Sequence, residues 1–248
     1  ALAWGLSEEI VYELFQTEYK KSVRLNKFKV KKNTLPNIKR QLQYVESIKW
    51  SKDCYLVEGE INPSQLEEFS RGEYIIQNAA SFTPVLELDP KPGEYILDMA
   101  AAPGGKSSHI ANLSLNKARL VLNDTSRTRF FSMKKLMEQQ GVNAEYTLRD
   151  GRSLVKYFGK DIFDKILLDA PCSGEANMKP GDNWNISTIK RLSKLQARLL
   201  SEAVQLLKPG GRLVYSTCTI APEENEGVID NVLRHNIEAE VLPISTYP

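Results

Sequence analysis

The sequence predicts an α/β protein: a parallel sheet covered by helices on both faces from about residue 93 onward, preceded by a smaller α/β unit. Three observations predict it. Short apolar runs alternate with helical segments through the second part of the chain. The loops that follow those runs carry acids, glycines and cysteines, and in such folds ligands bind at the carboxyl ends of the strands. The stretch before residue 90 lacks this alternation.

In that first part, "LSEEIVYELFQTEYKK" (6–21) and "NTLPNIKRQLQYVESI" (33–48) read as helices and "CYLVEG" (54–59) as a short strand. Between the helices lies a basic stretch of Lys20, Lys21, Arg24, Lys27, Lys29, Lys31, Lys32, Lys39 and Arg40, with no acid among them. A polyanion would feel that stretch, and a solvated face is the competing account. The expected division is 1–75 for this unit and 76–248 for the larger one, with the connection near Ser70 to Pro92.

The five strands of the larger unit are expected at "EYILDMA" (94–100), "ARLVLND" (118–124), "AEYTLRD" (144–150), "DKILLDA" (164–170) and "GRLVYSTC" (211–218). The longest helix precedes the last of them. Ile189, Leu192, Leu195, Leu199, Ala203 and Leu206 recur at helical spacing, Ser187 is the expected N-cap, and Lys208-Pro209-Gly210-Gly211 is the expected stop.

Composition excludes several classes. The three cysteines, Cys54, Cys172 and Cys218, form no CxxC pair, which argues against a disulfide framework, a structural zinc or any metal site. No apolar run reaches the roughly 18 residues of a membrane span, and "ALAWGLSEEIV" lacks the pattern of a secretory signal. A reduced, cytoplasmic setting and a monomer are expected. The net charge of +2 hides a basic stretch near the start and acids near the end, Glu223, Glu224, Glu226, Asp230, Glu238 and Glu240 against Arg234. The chain begins without methionine, as a fragment or processed form would.

The strand ends carry the chemistry. "LDMAAAPGGKSS" (97–108) places Asp98 at the first strand's end, then small residues that let a ligand approach the backbone, then a helix start. A nucleotide or nucleoside cofactor is the sharp reading, and a tight turn into a helix the plain one. "AAAPGGKS" also nearly fits a phosphate loop with Ala100 in place of the first glycine, so an NTPase is a rival. Asp124 at the second strand's end favours a ribose-binding acid over that rival. Asp150 closes the third strand, and the three aspartates are expected in register at successive strand ends. Cys172 follows "LLDAP" and Cys218 stands in "VYSTCTIAPEENE"; if their strands are neighbours, both thiols face one cleft. Cys54 reads as a small buried hydrophobe. Pro222 suits a helix's first turn, where Glu223 and Glu224 would complement the dipole.

Taken together, "LDMAAAPGGKSS", "LLDAPCSGE" and "VYSTCTIAPEENE", in this order, closely resemble the RNA cytosine-5 methyltransferases of the Nop/Sun group, including the bacterial RsmB and RsmF ribosomal-RNA enzymes. Supporting matches are "YIIQNAASFTPVLEL", "DGR" (150–152) and "VRLNKFKV". The resemblance implies a Rossmann-like class I methyltransferase with an RNA-recognition-like N-terminal unit and S-adenosylmethionine as cofactor. It implies that Ala101, Ala102, Pro103, Gly104, Gly105, Lys106 and Ser107 wrap the cofactor, with Asp124 on its ribose, Arg129 nearby and Asp150 by its adenine. Asp169 would lie between cofactor and base, and Lys106 would help position the base. Cys218 would be the nucleophile and Cys172 would assist product release. Ribosomal RNA is the first expected partner, transfer RNA the second, with no membrane and no metal. A non-catalytic RNA-binding relative is the remaining alternative. Relatives continue to a last strand ending in "GFF", inserted between the fifth strand and the "EAEVLPI" segment, so a catalytic unit lacking that strand and any PUA-like module is expected.

Overall fold

A computed structural model of the chain describes residues 7, 9–10, 13, 20–42, 44–59, 62–174, 185–235 and 239–244. Most of the first expected helix, 6–21, lies outside the described residues; Glu9, Ile10 and Glu13 are helical, whereas Lys21 at its expected end already belongs to a strand.

Five strands form the larger sheet: β5 Tyr95–Asp98, β6 Arg119–Asp124, β7 Glu145–Leu148, β8 Phe163–Asp169 and β9 Leu207–Ser216, written here after the four strands of the first unit. They are all parallel and stand in the order β7-β6-β5-β8-β9. Side chains of alternate residues point to opposite faces, so Ile96, Leu120, Leu122 and Leu167 pack on one side and Leu97, Val121, Ile166 and Leu168 on the other. Each fully buried aliphatic side chain contributes roughly 1.5–3 kcal/mol. The expectation of a sheet covered on both faces holds.

Helices α3 Thr83–Leu88, α4 Gly105–Leu113 and α5 Arg127–Gln140 supply residues to the first face. The short α6 Leu154–Phe158, the long α7 Ile186–Leu206 and α8 Glu226–Leu233 cover the second. The N-cap of α7 is Asn185, whose side chain accepts from the Ser187 and Thr188 amides, two residues before the expected Ser187. The helix ends at Leu206, but the Lys208-Pro209-Gly210-Gly211 segment is already part of β9. Leu207 pairs with Phe163, and an irregularity between Phe163 and Lys165 absorbs the extra residues before Arg212 meets Lys165.

The first unit departs further from expectation. Strand β1 Lys21–Leu25 lies inside the basic stretch, and it is one of the two inner strands of an antiparallel sheet ordered β2-β3-β1-β4. Here β2 is Tyr44–Ser47, β3 Cys54–Glu58 and β4 Tyr74–Ile76, with α1 Thr34–Gln41 and α2 Glu67–Ser70 between them. The second expected helix therefore stops at Gln41: Leu42 turns to extended backbone and "YVES" pairs with β3. Cross-strand pairing overrides the weak helical pattern of that segment. Residues 239–244, within the "EAEVLPI" segment, form no strand.

Several residues fasten the first unit to the larger one, three of them in or just after β1. The buried guanidinium of Arg24 donates to Ser108 Oγ at 2.6 Å and to the Gly105 carbonyl at 3.3 Å, both on α4. Asn26 Nδ2 donates to the Gly72 and Gln140 carbonyls, and the Lys27 amide to Asn112 Oδ1. The basic stretch thus holds the helix that follows the glycine turn. No described helix is long and apolar enough to cross a membrane.

Candidate active site

The strand-end acids are staggered, not level. Asp98 stands opposite Leu122 on β6 and Leu167 on β8, so Asp124 and Asp169 each lie two residues farther out. An offset of two keeps all three on one face of the sheet, in a V with Asp98 at its base. Asp150 lies two residues beyond Leu148, the partner of Asp124.

Asp98 is fully buried. Its Oδ2 accepts from Ser107 Oγ at 2.6 Å, while Oδ1 has no partner. Burial pushes this carboxyl up to about 7 against the opposing pull of the Ser107 bond, and the negative Asp169 adds to the rise. Between these residues the chain makes its tight turn. Gly104 caps α4 with φ of 106°, a conformation open to glycine, and a Cβ there would lie 2.7 Å from Met137 Cε. Asp124 braces the turn: its Oδ2 accepts from the Ala102 amide at 3.2 Å and its Oδ1 from the Ser126 amide at 2.8 Å. Arg129 donates to the Ala102 carbonyl, with another guanidinium nitrogen 3.9 Å from Asp124. Ala101–Ser107, Asp124 and Arg129 therefore form one connected group.

Asp150 stands apart from it. Its carboxylate caps the turn at Gly151–Ser153 by accepting from the Arg152 amide and binds the Arg152 guanidinium at 2.5 Å, which holds it below the usual carboxylate range.

A second group forms where β8 and β9 run side by side. Lys106 Nζ meets Asp169 Oδ2 at 2.6 Å, and Ser216 Oγ donates to Asp169 Oδ1 at 2.8 Å. Beyond the strand ends, Cys172 Sγ and Cys218 Sγ are 3.1 Å apart. The Cys218 amide points at Cys172 Sγ from 3.2 Å, and the Ser173 and Thr219 hydroxyls join the two turns at 2.9 Å. The hydrogen bond with Cys172 lowers the Cys218 thiol to about 7, against partial burial and Asp169, with help from Lys106. The same bond and its own burial push Cys172 up. One thiol keeps the proton and the other is readied to lose it. Cys54 is remote from this pair, buried, and pushed up to about 11, as its reading as an inert core thiol expects.

Sequence reading missed three supports. Ser216 precedes the "TC" pair and only strand pairing brings it to Asp169. Gln196 looks like one more polar residue of a helix but is buried at the Cys172 turn, donating to the Pro171 carbonyl at 2.9 Å. Glu224 does not complement a helix dipole at the surface; it is fully buried and accepts from the Ser173 amide at 3.0 Å and from Gln196 Nε2 at 2.7 Å. Pro222 does open a helical turn, the 3-10 turn Pro222–Glu224.

Residues 85–247 match the family model of the 16S rRNA methyltransferases RsmB/F. The chain belongs to the RsmB/F methyltransferase family. A tRNA (cytosine(49)-C(5))-methyltransferase of Pyrococcus abyssi is 39% identical over 235 residues, covering 91% of this chain and 75% of that protein. Ribosomal RNA small subunit methyltransferase F of Shewanella amazonensis is 36% identical over 221 residues, 84% of this chain and 46% of that one. The chain thus spans less than half of the Shewanella relative. The crystal structure of a methyltransferase homolog protein from Pyrococcus horikoshii superposes with a TM-score of 0.82 at 32% identity, covering 94% of this chain and 80% of that one. The larger unit has the Rossmann-like class I methyltransferase fold.

Membership in this family removes the phosphate-loop reading, and the charges around the turn agree. A triphosphate needs cations, yet the turn is contacted by Asp98, Asp124 and Asp169, and its lysine is engaged by Asp169. Such a site fits a cationic cofactor without phosphates. S-adenosylmethionine, the methyl donor of the RsmB/F family, is an adenosine joined through a sulfonium to an amino acid, with a net positive charge and no phosphate. Among the described residues no cluster of side chains could hold a metal ion.

Proposed function

We propose that this chain is an S-adenosylmethionine-dependent RNA (cytosine-5) methyltransferase acting through a covalent adduct of Cys218 with the target base. The observation that carries the proposal is the 3.1 Å pair of thiols beside the Lys106–Asp169 ion pair, at the carboxyl ends of adjacent strands. The turn Ala101–Ser107, Asp124 and Asp150 are the residues that would hold the cofactor, with Arg129 bracing the turn. When bound, the cofactor supplies the electrophilic methyl group.

Carbon-5 of cytosine is a poor nucleophile, so the base needs activation. The Cys218 thiolate adds to carbon-6, and the electrons of the 5,6 double bond move to carbon-5 in an enamine-like adduct. Asp169 in its protonated form gives its proton to N3 as the addition proceeds, and Lys106 positions the base and balances the carboxylate left behind. Once carbon-5 carries its methyl group, its proton passes to water, the electron pair of that C–H bond re-forms the 5,6 double bond and the Cys218 thiolate is expelled. Cys172 assists that release. The base must leave its stack, so a loop or opened helix of RNA is the substrate, held in part by the basic stretch of an RNA-recognition-like first unit.

Ribosomal RNA is the first reading of the substrate, in line with the family's description. Transfer RNA is the second, favoured by the match over 75% of the Pyrococcus abyssi relative named for it. A non-catalytic RNA-binding relative is disfavoured because both thiols and the ion pair are retained. Reduced thiols this close suit a reducing compartment such as the cytoplasm.

The test is transfer of a labelled methyl group from S-adenosylmethionine to separated ribosomal and transfer RNA by the parent, Cys218→Ala and Cys172→Ala. Label in cytosine with the parent, none with Cys218→Ala, and a trapped RNA–protein adduct with Cys172→Ala is the expected result. Methylation by Cys218→Ala without an adduct in Cys172→Ala would reverse the two thiols.

A further inference from the structure

We propose that Glu224 is a positioning residue for the thiol pair: its buried carboxylate clamps the Cys172 turn against the segment that carries Cys218. The inference rests on the reading of Cys218 as nucleophile and goes beyond it in naming what holds the two sulfurs at bonding distance.

The geometry is that of a clasp. Glu224 lies six residues after Cys218, on the 3-10 turn Pro222–Glu224, and its side chain is fully excluded from solvent. An ionised carboxylate in such a place needs donors or a cation. Among the described residues no cation pairs with it. Its donors are instead the Ser173 amide, at 3.0 Å to one oxygen and 3.3 Å to the other, and Gln196 Nε2 at 2.7 Å. Gln196 uses the same nitrogen to hold the Pro171 carbonyl, so Pro171 and Ser173, the two neighbours of Cys172, are tied directly or through one side chain to Glu224. Hydrogen bonds to an ionised acceptor are about twice as strong as neutral ones, which suits a clasp made of few contacts.

The other end of the clasp is fixed too. The Glu224 carbonyl accepts from Tyr215 Oη at 2.6 Å, on the strand that leads to Cys218. The next residue, Asn225, accepts from Thr217 Oγ1 at 2.7 Å and donates to the Thr219 carbonyl at 3.1 Å, on either side of Cys218. Glu224 and Asn225 together therefore address the flanks of both cysteines.

Glu224→Gln separates the possibilities by the sign of its effect. One Glu224 oxygen takes both short bonds, and a glutamine can keep its Oε1 there, but its amide nitrogen then faces the Ser173 N–H, donor against donor, and the charge that strengthens the clasp is lost, so the clasp weakens. If Glu224 positions the Cys172 thiol as donor to Cys218, loosening the clasp weakens that bond and the Cys218 thiol becomes less acidic. If Glu224 acted only as a nearby negative charge, removing it would make Cys218 more acidic. A merely structural glutamate would change stability and leave the thiol's titration where it was.

The experiment is the pH dependence of iodoacetamide alkylation at the Cys218 peptide, read by mass spectrometry for the folded parent, Glu224→Gln and Gln196→Met. The expected result is an upward shift of the midpoint by about one pH unit or more in both variants, because the thiolate is the alkylated species. With RNA, kcat falls about tenfold or more while KM and the cofactor Kd stay within about threefold. An unchanged or lowered midpoint in folded Glu224→Gln overturns the proposal. Should that variant not fold, Gln196→Met, which removes the second donor at similar volume, decides it on the same criterion. Alkylation requires neither RNA nor cofactor. A parent that alkylates as expected but methylates no RNA would overturn the assigned reaction and leave the clasp standing.

Discussion

Cys172 Sγ lies 3.1 Å from Cys218 Sγ, and Cys218 is the more acidic of the two. An ordinary cysteine is mostly protonated at neutral pH, whereas a thiol lowered to about 7 is half ionised there. Since the hydrogen bond from Cys172 is the largest cause, Cys172→Ala is expected to return the Cys218 alkylation midpoint toward an ordinary thiol value and to cut its alkylation rate at pH 7 by roughly tenfold or more. Cys54, held up to about 11 by burial, stays unmodified in the same digest. A midpoint for Cys218 that ignores the loss of Cys172 would contradict the assignment.

Lys106 and Asp169 act on that thiol with opposite sign. Asp169 raises the Cys218 thiol and Lys106 lowers it, so Lys106→Met is expected to move the alkylation midpoint up and Asp169→Asn to move it down. Their effects on turnover should not mirror this. Asp169→Asn is expected to make a more ionised thiol yet lose the group proposed to assist at N3, and methyl transfer is expected to fall by about 10²–10⁴-fold. Thiol reactivity rising while turnover collapses is the pattern that separates a catalytic carboxylate from one that merely tunes its neighbour.

Sequence made the strand ends legible because each chemical residue sits directly after its own apolar run. Asp98, Asp124, Asp169, Cys172 and Cys218 are read locally, and the adjacency of β8 and β9 then brings the thiols together. The stagger of the aspartates was not legible, since register is a property of strand pairs. Glu224 was not legible either: an acid after proline at a turn is normally a surface group, and only the Ser173 amide and Gln196 draw it inward. The strand Lys21–Leu25 was hidden by its lysine and arginine, which obscured the apolar pattern of a strand lying between two neighbours. "YVES" was hidden by its continuity with a helical run, because what ends that helix is pairing with β3.

Asp98 makes stability depend on pH. Its folded carboxyl is raised from 3.8 to about 7, so between those values the folded state binds the extra proton and stability falls as pH rises through the interval. Full ionisation would cost on the order of 4 kcal/mol at one unit per 1.4 kcal/mol, an upper bound because the surroundings relax. Asp98→Asn keeps an acceptor for Ser107 Oγ and removes the titration. Without cofactor, the melting temperature of the variant relative to the parent is expected to be higher at pH 8 than at pH 5. An equal difference at both values would show that Asp98 does not titrate as buried.

The basic stretch is smaller as an electrostatic feature than its nine residues suggest. Arg24 is buried against α4, Lys20 pairs with Glu58, Lys27 with Asp53 and Lys31 with Glu73, and Lys29 donates to the Gln139 carbonyl. Lys21 on β1 and Lys32, Lys39 and Arg40 on α1 or just before it are exposed and carry no ion pair among the described residues. If they meet RNA phosphates, each neutralised charge steepens the salt dependence of binding by about 0.7 on a log–log scale for single strands. The triple variant Lys32→Ala, Lys39→Ala, Arg40→Ala is expected to flatten the slope by about 2 and to weaken binding most at low salt. Lys39 and Arg40 also complement the carboxyl end of α1, which is worth only about 0.3–1 kcal/mol each and leaves the slope untouched. An unchanged slope would make these three residues a solvated face and move the RNA contact elsewhere on the chain.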